Sequence, residues 1–524
     1  MTSSTDILIV GAGPTGLMFA CQLSLHPNIS FRIFDKNPTR ATESRALVVH
    51  ARSMEVLSQL NLIDKAMSKG KLVDSMNGFF SGKRAFKMDF TKMRDKQQPL
   101  LTRYPYALFL EQSNTEELLE TYLNEHDIKV ERGIDVMDVT DIDSTNNTGV
   151  EVTLSNGDRV RTKYVCACDG AHSTIRHKLN LSFAGQTYSS SLFIADCTIS
   201  NSPMGQHEAG FFFHKDGFAG IFPMVGDQCR IVATINEEKQ KNAETSFEHV
   251  SNMVKTRSRF HSLNISNCIW SSVYHSHHRR ITTFRSRNRY FLLGDAAHIH
   301  SPVGGQGMNT GLQDAHNLAW KLAYVLTHSA NDRLLDTYHD ERSVVAKTLV
   351  NTTDRLFSIM TSNNWFVKFC RLNIVPYILR FFIQPLLNYS QTLRQAAFRR
   401  ISQTGITYRS DKIYDYGASA GNFHKNTPLP GDRFPYVIFD SCHYHLVIFE
   451  SQQLTKVSQF IQFIKTNYPE IIQIHDVHKE NIPLRFQGAI LIRPDGYIAY
   501  RTIVFDTNHF RAYFAQYFPQ AIVI

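Results

Sequence analysis

The chain has few cysteines, and neither its cysteines nor its histidines form a recognisable disulfide or ligand pattern. Eight Cys are scattered over 524 residues without a CxxC pair, which argues against a disulfide-stabilised secreted scaffold and is typical of a reducing cytosol. His275, His277 and His278 lack the spacing and partners of a zinc site. No signal peptide is expected, because the first apolar run already reads as a strand. We therefore expect a cytoplasmic protein that binds no metal.

Long apolar runs and nucleic-acid signatures are also lacking. The most apolar stretch, residues 372–388, contains Pro376, Arg380 and Pro385 and is shorter than the about 20 apolar residues of a spanning helix. We expect it to serve as core or dimer contact, hence a homodimer; the alternative is peripheral contact with a bilayer surface. The net charge is +9, but the densest basic run, residues 275–289, has no aromatic-interleaved binding motif. We therefore predict no nucleic-acid partner.

The sequence does contain a glycine-rich turn between an apolar strand and a helix, with the letters GAGPTG. Gly11 permits the tight turn, Gly13 lets the backbone approach a pyrophosphate, and Gly16 lets the helix pack closely on the strand. A second strand ends at Asp35, about 20 residues further on, where an acid receives ribose hydroxyls. This combination predicts a dinucleotide site.

A later stretch, GDAAHIHSPVGGQGMN at residues 294–309, indicates which dinucleotide is bound. Asp295 follows a buried strand and can accept hydrogen bonds from a polyol such as ribityl. The helix that starts after it aims its positive end at the place where an isoalloxazine N1–C2=O holds negative charge. The loop Pro302, Val303, Gly304, Gly305, Gln306 and Gly307 offers backbone that can lie against the flat ring. The helix end near Gly307, Met308 and Asn309 is expected to stabilise the N1 anion. Together with CDGAHS, which contains Asp169, these stretches predict bound FAD.

The three stretches resemble the glycine, DG and GD motifs of the single-component (group A) flavoprotein aromatic hydroxylases, in particular the phenol hydroxylase-like branch with its C-terminal thioredoxin-like domain. The resemblance covers nearly the whole chain. It implies that Arg45 and Gln112 contact the flavin side of the cofactor. The sequence has no second glycine-rich nucleotide motif, so we expect NADPH or NADH to bind in passing near the DG motif, with Asp169 and Arg176 as candidates. The alternative for Asp169 is to serve the FAD pyrophosphate.

The activity that this resemblance implies is hydroxylation of an aromatic, expected to be phenolic, substrate by NAD(P)H and O₂ through a flavin C4a-hydroperoxide. We expect non-covalent FAD, because no His or Cys tether is identifiable near the ring. His50 is the candidate base for the phenol, since an unperturbed histidine pKa suits this task. Tyr290 and His214 are weaker candidates.

Two other classes of function remain open. One is a related flavoenzyme such as a halogenase, an epoxidase or an oxidase-like enzyme, although the WxWxIP motif of halogenases is absent. The other is a non-catalytic flavin-binding scaffold that uses the basic stretch around residues 366–400. Intact cofactor motifs argue against the scaffold.

The separation of the three motifs predicts an α/β fold with a discontinuous, Rossmann-like FAD-binding domain. An antiparallel β-sheet substrate domain is inserted in it, and helices and a C-terminal thioredoxin-like α/β domain follow. The last domain lacks CxxC, so we expect it to be redox-silent. The predicted limits are 1–75, 107–180 and 286–350 for FAD binding, 76–106 and 181–285 for the sheet, 351–416 for the helices and 424–524 for the last domain.

Overall fold

The structure is a computed structural model. It describes residues 2–41, 45–93, 102–144, 147–236, 246–409, 418–424, 427–435, 438–449, 453–476, 482, 484 and 486–519. The end of the predicted helical region, residues 410–416, lies outside the described residues, as do the last residues of the predicted C-terminal domain, 520–524, and parts of its interior.

The cofactor motifs meet at one edge of an eight-stranded sheet. Its strands are ordered Arg285–Ser286, Tyr290–Leu292, Arg159–Ala167, Thr2–Val10, Phe31–Asp35 and Glu131–Arg132, with Asn147–Leu154 and Val136–Ser144 added beside Arg159–Ala167. The central strands run parallel, so their carboxyl ends share an edge. In such sheets ligands bind outside the carboxyl ends of the strands. The glycine turn, Asp35, Asp169 and Asp295 all follow or end these strands.

Helices cover this sheet and bury its apolar strands. Residues Ile7–Ile9 of the central strand have no exposed surface, and the same holds for Leu17–Ala20 of the first helix. The helices of this part are Pro14–Leu23, Ala51–Gln59, Ile63–Lys69, Gln112–Glu125, Thr174–Lys178 and Gly307–Thr327. A three-stranded sheet of Val48–Val49, Ala107–Phe109 and Lys71–Val73 lies beside them.

The segments between the motifs form a second eight-stranded sheet. Its strands are ordered His298–Ile299, Asn264–Arg280, Ala184–Ser200, Gln228–Asn236, Gly217–Pro223, Glu208–His214, Ser75–Phe80 and Lys83–Asp89. The helix Phe247–Ser258 packs against it. The sheet is antiparallel except where Glu208–His214 pairs in parallel with Ser75–Phe80. That parallel pair differs from the predicted antiparallel sheet, and it arises because Ser75–Phe80 enters from an earlier part of the chain.

The helical region after the second sheet begins with a single long helix, Arg333–Thr361. A continuous run of short helical segments follows at Trp365–Phe369, Cys370–Ile374, Val375–Ile378, Leu379–Ile383 and Gln384–Tyr389, and then the helix Gln391–Ile401. Within the described residues, no helix is both long enough and apolar enough to cross a membrane.

The C-terminal part contains a five-stranded sheet ordered Ser419–Ala420, Ile498–Thr502, Ala489–Ile492, Tyr444–Ile448 and Ile472–Asp476. The helices Leu454–Asn467 and Thr507–Phe514 accompany it. This part is not a separate globule, because Trp320 and Tyr324 of the helix Gly307–Thr327 share a buried core with Tyr444, at ring distances of 5.6 and 5.8 Å. The several sheets and their helices confirm the predicted mixed α/β class.

Candidate functional site

The glycine turn leaves open space at the one position where a phosphate is predicted to approach. A Cβ on Gly11, whose φ is 96°, would lie 2.5 Å from the Cys168 carbonyl oxygen, and one on Gly16 would lie 1.9 Å from the Gly11 oxygen. Both glycines are therefore required by packing. A Cβ on Gly13, by contrast, would meet nothing within 4 Å. The turn thus presents bare backbone and the start of the helix Pro14–Leu23 to a ligand, which fits a pyrophosphate.

Acidic side chains stand beside this turn. The Asp35 carboxylate accepts hydrogen bonds from the backbone N–H groups of Ala12 and Asn37, at 2.7 and 2.8 Å. Glu116 is buried and accepts a hydrogen bond from Gln112 Nε2 at 2.9 Å. Burial raises the pKa of Glu116, and the nearby charge of Asp35 acts in the same direction. The structure therefore brings Asp35 close to the helix that carries Gln112.

Asp295 lies in an enclosed part of the molecule. Its side chain keeps accessible surface, yet protein surrounds it closely enough that desolvation raises the pKa of its carboxyl, with His298 and Arg45 acting in the opposite direction. A residue with both properties faces an internal space rather than the outer surface. A carboxylate in such a position suits a polyol, whose hydroxyls can replace water as hydrogen-bond donors.

Arg45 and Tyr274 face the same space from different elements. The Arg45 guanidinium carbon is 6.0 Å from the centre of the Tyr274 ring. Burial raises the pKa of Tyr274 to about 12, and the charges of Asp295 and Arg45 act on it as well. Tyr274 belongs to the strand Asn264–Arg280, so the second sheet reaches the place where the flavin is predicted. No motif in the sequence marks this tyrosine, and sequence reasoning missed it.

The predicted ring-contacting loop is held by a set of buried hydrogen bonds. Asn309 Nδ2 donates to the carbonyl oxygens of Val48 and Gly305, at 2.7 and 2.9 Å, and its Oδ1 accepts from the His50 N–H at 2.8 Å. The His50 ring Nε2 lies 2.9 Å from the Gly304 carbonyl oxygen. Gly304 and Gly305 have φ values of 84° and 60°. These glycines thus adopt a conformation that side chains disfavour, and Asn309 and His50 hold it.

His50 is therefore engaged by the loop itself. Burial lowers the pKa of its ring to about 4, so the ring is neutral at pH 7 and donates to Gly304 from Nε2. This contact favours a positioning role for His50 over the predicted role as base, which stays a prediction. Of the weaker candidates, Tyr290 lies at the start of its strand and donates to Asp141, away from the ligand edge. His214 ends a strand of the second sheet, beside Asp216.

The helix Gly307–Thr327 begins where the glycine loop ends. Pro302 closes the loop by accepting a hydrogen bond from the Gly305 N–H at 3.0 Å. Gln306 precedes the helix, and its carbonyl accepts from the Thr310 N–H at 3.0 Å. Met308 packs against the main core. The first turn therefore keeps its own N–H groups for an anionic group placed at the loop.

The DG motif is tied to the GD motif. Asp169 Oδ2 accepts from the Ile175 N–H at 3.2 Å, whereas its buried Oδ1 has no hydrogen-bond partner in the part of the chain that the structure describes. The Arg176 guanidinium donates to the carbonyl oxygens of Ala171 and Ala296, at 2.8 and 3.1 Å. Arg176 thus joins the two motifs, and its two terminal nitrogens are already used by backbone carbonyls.

Two buried ion pairs that sequence reasoning missed support these motifs. Asp314 accepts from the Gly294 N–H, His298 Nε2 and Arg342 Nε, at 3.0, 2.8 and 2.6 Å. Burial raises the pKa of the Asp314 carboxyl, but Arg342 and His298 outweigh it and hold the pKa below its usual value. The carboxylate is therefore ionised and fixes the backbone just before Asp295.

The second pair lies within the second sheet and reaches the segment that carries Arg45. Arg230 binds both carboxylate oxygens of Asp196, at 2.7 and 2.8 Å, and donates to the carbonyl oxygens of Arg45 and Ala46, each at 3.3 Å. Bidentate pairs of this kind fix geometry as well as charge. The segment carrying Arg45 is thus positioned from the second sheet.

Comparison with known proteins supports the cofactor directly. Residues 4–353 match a family model described as FAD binding domain. The chain is 32% identical over 365 residues to 6-methylpretetramide 4-monooxygenase of Streptomyces rimosus, which covers 68% of this chain and 63% of that relative. It is 28% identical over 514 residues to an uncharacterized aromatic compound monooxygenase of Bacillus subtilis, covering 95% of each.

A solved structure agrees along the whole chain. The anhydrotetracycline hydroxylase from Streptomyces rimosus has a TM-score of 0.74 with 26% sequence identity, and the match covers 98% of this chain and 99% of that one. The predicted FAD cofactor and the predicted flavoprotein monooxygenase of aromatic compounds are confirmed by these relatives. The chain belongs to the FAD binding domain family and is an FAD-dependent aromatic monooxygenase.

Proposed function

We propose that this enzyme uses NAD(P)H and O₂ to hydroxylate a phenolic compound, and that it belongs to the phenol hydroxylase-like branch. The observation that carries the proposal is the meeting of Arg45, Asp295 and Tyr274, which come from three distant parts of the chain. A cation, an anion and an aromatic ring thus border one enclosed space beside the glycine loop, and such a space suits a flavin with an aromatic substrate next to it.

Each part of FAD has residues suited to hold it non-covalently. The glycine turn with the helix Pro14–Leu23 would hold the pyrophosphate, and Asp35 the ribose. Asp295 would hold the ribityl hydroxyls, with Arg45 and Gln112 on the flavin side. The free N–H groups at the start of the helix Gly307–Thr327 would face the anionic edge of the ring.

The chemistry that FAD supplies when bound is acceptance of hydride from the nicotinamide and activation of O₂. The protein contributes orientation and exclusion of water. Tyr274 and the second sheet cover the space on one side, and the loop fixed by His50 and Asn309 borders it on the other. A dry, preorganised site keeps water away from the oxygen that is activated there.

The nicotinamide has a weaker structural signature. Asp169 keeps one buried carboxylate oxygen without a partner among the described residues, so it can accept a hydrogen bond from either the nicotinamide cofactor or the FAD. Arg176 is less suited than expected, because it already serves two carbonyl groups.

The five-stranded C-terminal sheet supports a redox-silent, thioredoxin-like domain. Tyr444–Ile448 and Ile472–Asp476 are parallel and joined by a helix, and an antiparallel hairpin of Ala489–Ile492 and Ile498–Thr502 follows. A further helix, Thr507–Phe514, ends the pattern. The single cysteine there, Cys442, has no thiol partner among the described residues.

The domain limits given by the sequence, the cytoplasmic location and the homodimer stay predictions. The eight cysteines are free, which suits a reducing compartment. Sedimentation velocity of the purified protein measures the oligomeric state directly.

The decisive experiment follows NAD(P)H oxidation and oxygen uptake over a panel of phenols and hydroxybenzoates, with and without catalase. For a true substrate we expect faster NAD(P)H oxidation, oxygen uptake that catalase does not reduce, and a hydroxylated product. Peroxide as the only product for every stimulating phenol would identify an oxidase-like enzyme. No stimulation by any aromatic compound would instead favour the scaffold.

A further inference from the structure

The helical run from residue 365 to residue 389 has an irregular backbone with a clear cause. Its two π-helical segments, Cys370–Ile374 and Leu379–Ile383, each end two residues before a proline, Pro376 and Pro385. Proline lacks an N–H group and clashes with the carbonyl of the preceding turn, so a wider turn before it relieves the contact. The run thus remains one continuous helical arm, and "the arm" denotes residues 365–389 below.

The arm exposes most of its large apolar side chains. Trp365 is 77% exposed and Phe382 is 59% exposed, and Phe366, Tyr377, Phe381 and Tyr389 are exposed as well. Ile374, Ile378, Phe382 and Leu386 recur at every fourth residue, which places them along one side of a helix. All four are exposed. An apolar surface of this extent marks an interaction site.

Arg371 and Gln384 attach the arm to the rest of the protein. Arg371 is buried and donates to the carbonyl oxygens of Ile359 and Met360, at 2.8 and 2.6 Å. The Gln384 side-chain oxygen accepts from the Lys87 N–H at 2.8 Å, on the edge strand Lys83–Asp89 of the second sheet. The arm is therefore fixed to the protein at two points while its large apolar side chains stay exposed.

The sequence of the arm and its flanking segments contains basic residues but no acidic ones. The sequence between Asp354 and Asp411 contains no Asp or Glu, whereas the whole chain has 47 acidic against 56 basic residues. The basic residues in this interval are Arg355, Lys368, Arg371, Arg380, Arg394, Arg399, Arg400 and Arg409. Arg380, Arg399 and Arg400 are exposed, and so are Lys83 and Arg84 on the neighbouring edge strand.

We propose that the arm docks the enzyme on the surface of a membrane that contains anionic phospholipids. Exposed Trp and Tyr are typical of the boundary between headgroups and acyl chains, and basic residues around an apolar helical face attract anionic headgroups. A second copy of this chain fits less well. A symmetric contact through the arm would bring the same patch from both copies together, and Arg380 would then face like charge without any carboxylate from the arm.

Co-sedimentation of the FAD-loaded enzyme with vesicles tests this proposal. We expect binding to vesicles of phosphatidylcholine with 30% phosphatidylserine, weaker binding to phosphatidylcholine alone, and release by salt. Phe382→Asp should lower the affinity at least tenfold, because it places a negative charge on the docking face. Tyr389→Asp, at the most exposed aromatic side chain of the arm, is the second variant should the first fold poorly.

Leu454→Asp is the matched control. Leu454 is 74% exposed on the helix Leu454–Asn467 of the C-terminal sheet, so its replacement adds the same charge away from the arm. We expect unchanged vesicle binding for this variant. FAD content and the midpoint of thermal unfolding, measured for all variants, show that each one is folded.

Trp365 provides an independent signal, because the chain has only three Trp and the other two, Trp270 and Trp320, are half-buried and buried. Anionic vesicles should shift the emission to shorter wavelength in the wild type and leave Trp365→Phe unchanged. Absence of vesicle binding, equal binding to neutral vesicles, or equal loss in Leu454→Asp would overturn the proposal. A wild-type dimer that Phe382→Asp converts to a monomer would assign the face to a second copy instead.

Discussion

Charged side chains near the start of the helix Gly307–Thr327 lack ion-pair partners among the described residues, whereas those in its second half are paired within the protein. At its start, the carboxylate of Asp295 and the guanidinium of Arg45 border an enclosed space, and neither has an ion-pair partner within 4 Å among the described residues. In its second half, Lys321 is fully buried and donates to Glu341 at 2.8 Å and to Asn317 at 2.9 Å. One helix thus connects a site that keeps polar groups for a ligand with an interface that pairs them within the protein.

The buried charges of the second half join the C-terminal sheet to the rest of the molecule. Arg493 and Asp495, from the turn of the C-terminal hairpin, bind Glu341 and Asn317 respectively. Burial raises the pKa of Glu341, but Arg493 and Lys321 outweigh it and lower that pKa to about 2. Burial lowers the pKa of Lys321 to about 8. At pH 7 Glu341 and Lys321 are therefore both charged, and each depends on its partners.

The largest expected effect is therefore at Glu341. Glu341→Ala leaves Lys321 buried without its ion-pair partner and Arg493 with Asp495 alone, and removing one partner of a buried ion pair costs about 3–5 kcal/mol. We expect a large fall in the midpoint of thermal or urea unfolding.

The control for Glu341→Ala is Glu125→Ala. Glu125 pairs with Lys65 on the surface, where both side chains are half exposed, and such pairs contribute about 0–1 kcal/mol. Equal effects of the two substitutions would show that the interface does not depend on its buried charges.

The next largest effect concerns cofactor binding. Asp295→Ala should lose FAD while remaining folded, because a hydrogen bond to a charged group contributes roughly 1.5–3 kcal/mol. That corresponds to a roughly 10- to 150-fold weaker affinity. Fluorescence titration of the apoprotein with FAD measures it, and Asp216→Ala, on an exposed hairpin, is the control. Full retention of FAD at micromolar protein would contradict the placement of Asp295 at the ribityl chain.

Local patterns predicted the cofactor half of the molecule well. The strands that end at Asp35 and before Asp295 follow from short apolar runs. These features depend on neighbouring residues, so the sequence contains their signal.

Contacts between distant segments could not be predicted in the same way. Tyr274 and the Arg230–Asp196 pair lie on strands with no motif, and only the folding of the second sheet brings them to Arg45. Similarly, Trp320 and Tyr444 are separated by more than a hundred residues, and no local pattern indicates that they share a core.

The free energy of unfolding should also decrease at acidic pH, because histidines near both ends of the helix Gly307–Thr327 are buried. Burial lowers the pKa of His50 and His300 near the glycine loop, and of His26 and His445 near the C-terminal sheet, to about 4. The unfolded chain takes up these protons near pH 6.5, so stability is complete above that pH and is lost as the pH falls toward 4. Unfolding midpoints at pH 7, 6 and 5 should decrease, and His445→Gln should make the decrease shallower. A slope that this substitution leaves unchanged would contradict the assignment.

A smaller effect is expected at His50, and it separates the two roles considered for this residue. His50→Gln keeps a donor for the Gly304 carbonyl but cannot titrate, whereas His50→Ala loses the hydrogen bond. If His50 positions the loop, Gln should retain turnover close to wild type, and Ala should lose about 2- to 12-fold, as for a bond of about 0.5–1.5 kcal/mol. Equal, large losses in both variants, with disappearance of the acidic limb of the pH–rate profile, would identify His50 as the base.

The smallest effect is expected at Cys442. Its thiol donates to the Leu25 carbonyl oxygen at 3.5 Å, and burial, with Asp440 nearby, raises its pKa to about 11. The thiolate, which is the reactive form in disulfide exchange, is therefore scarce at pH 7. Cys442→Ser should leave turnover and the unfolding midpoint nearly unchanged, because serine can keep the hydrogen bond to Leu25. A large loss of turnover at unchanged stability would show that the C-terminal sheet takes part in the redox chemistry.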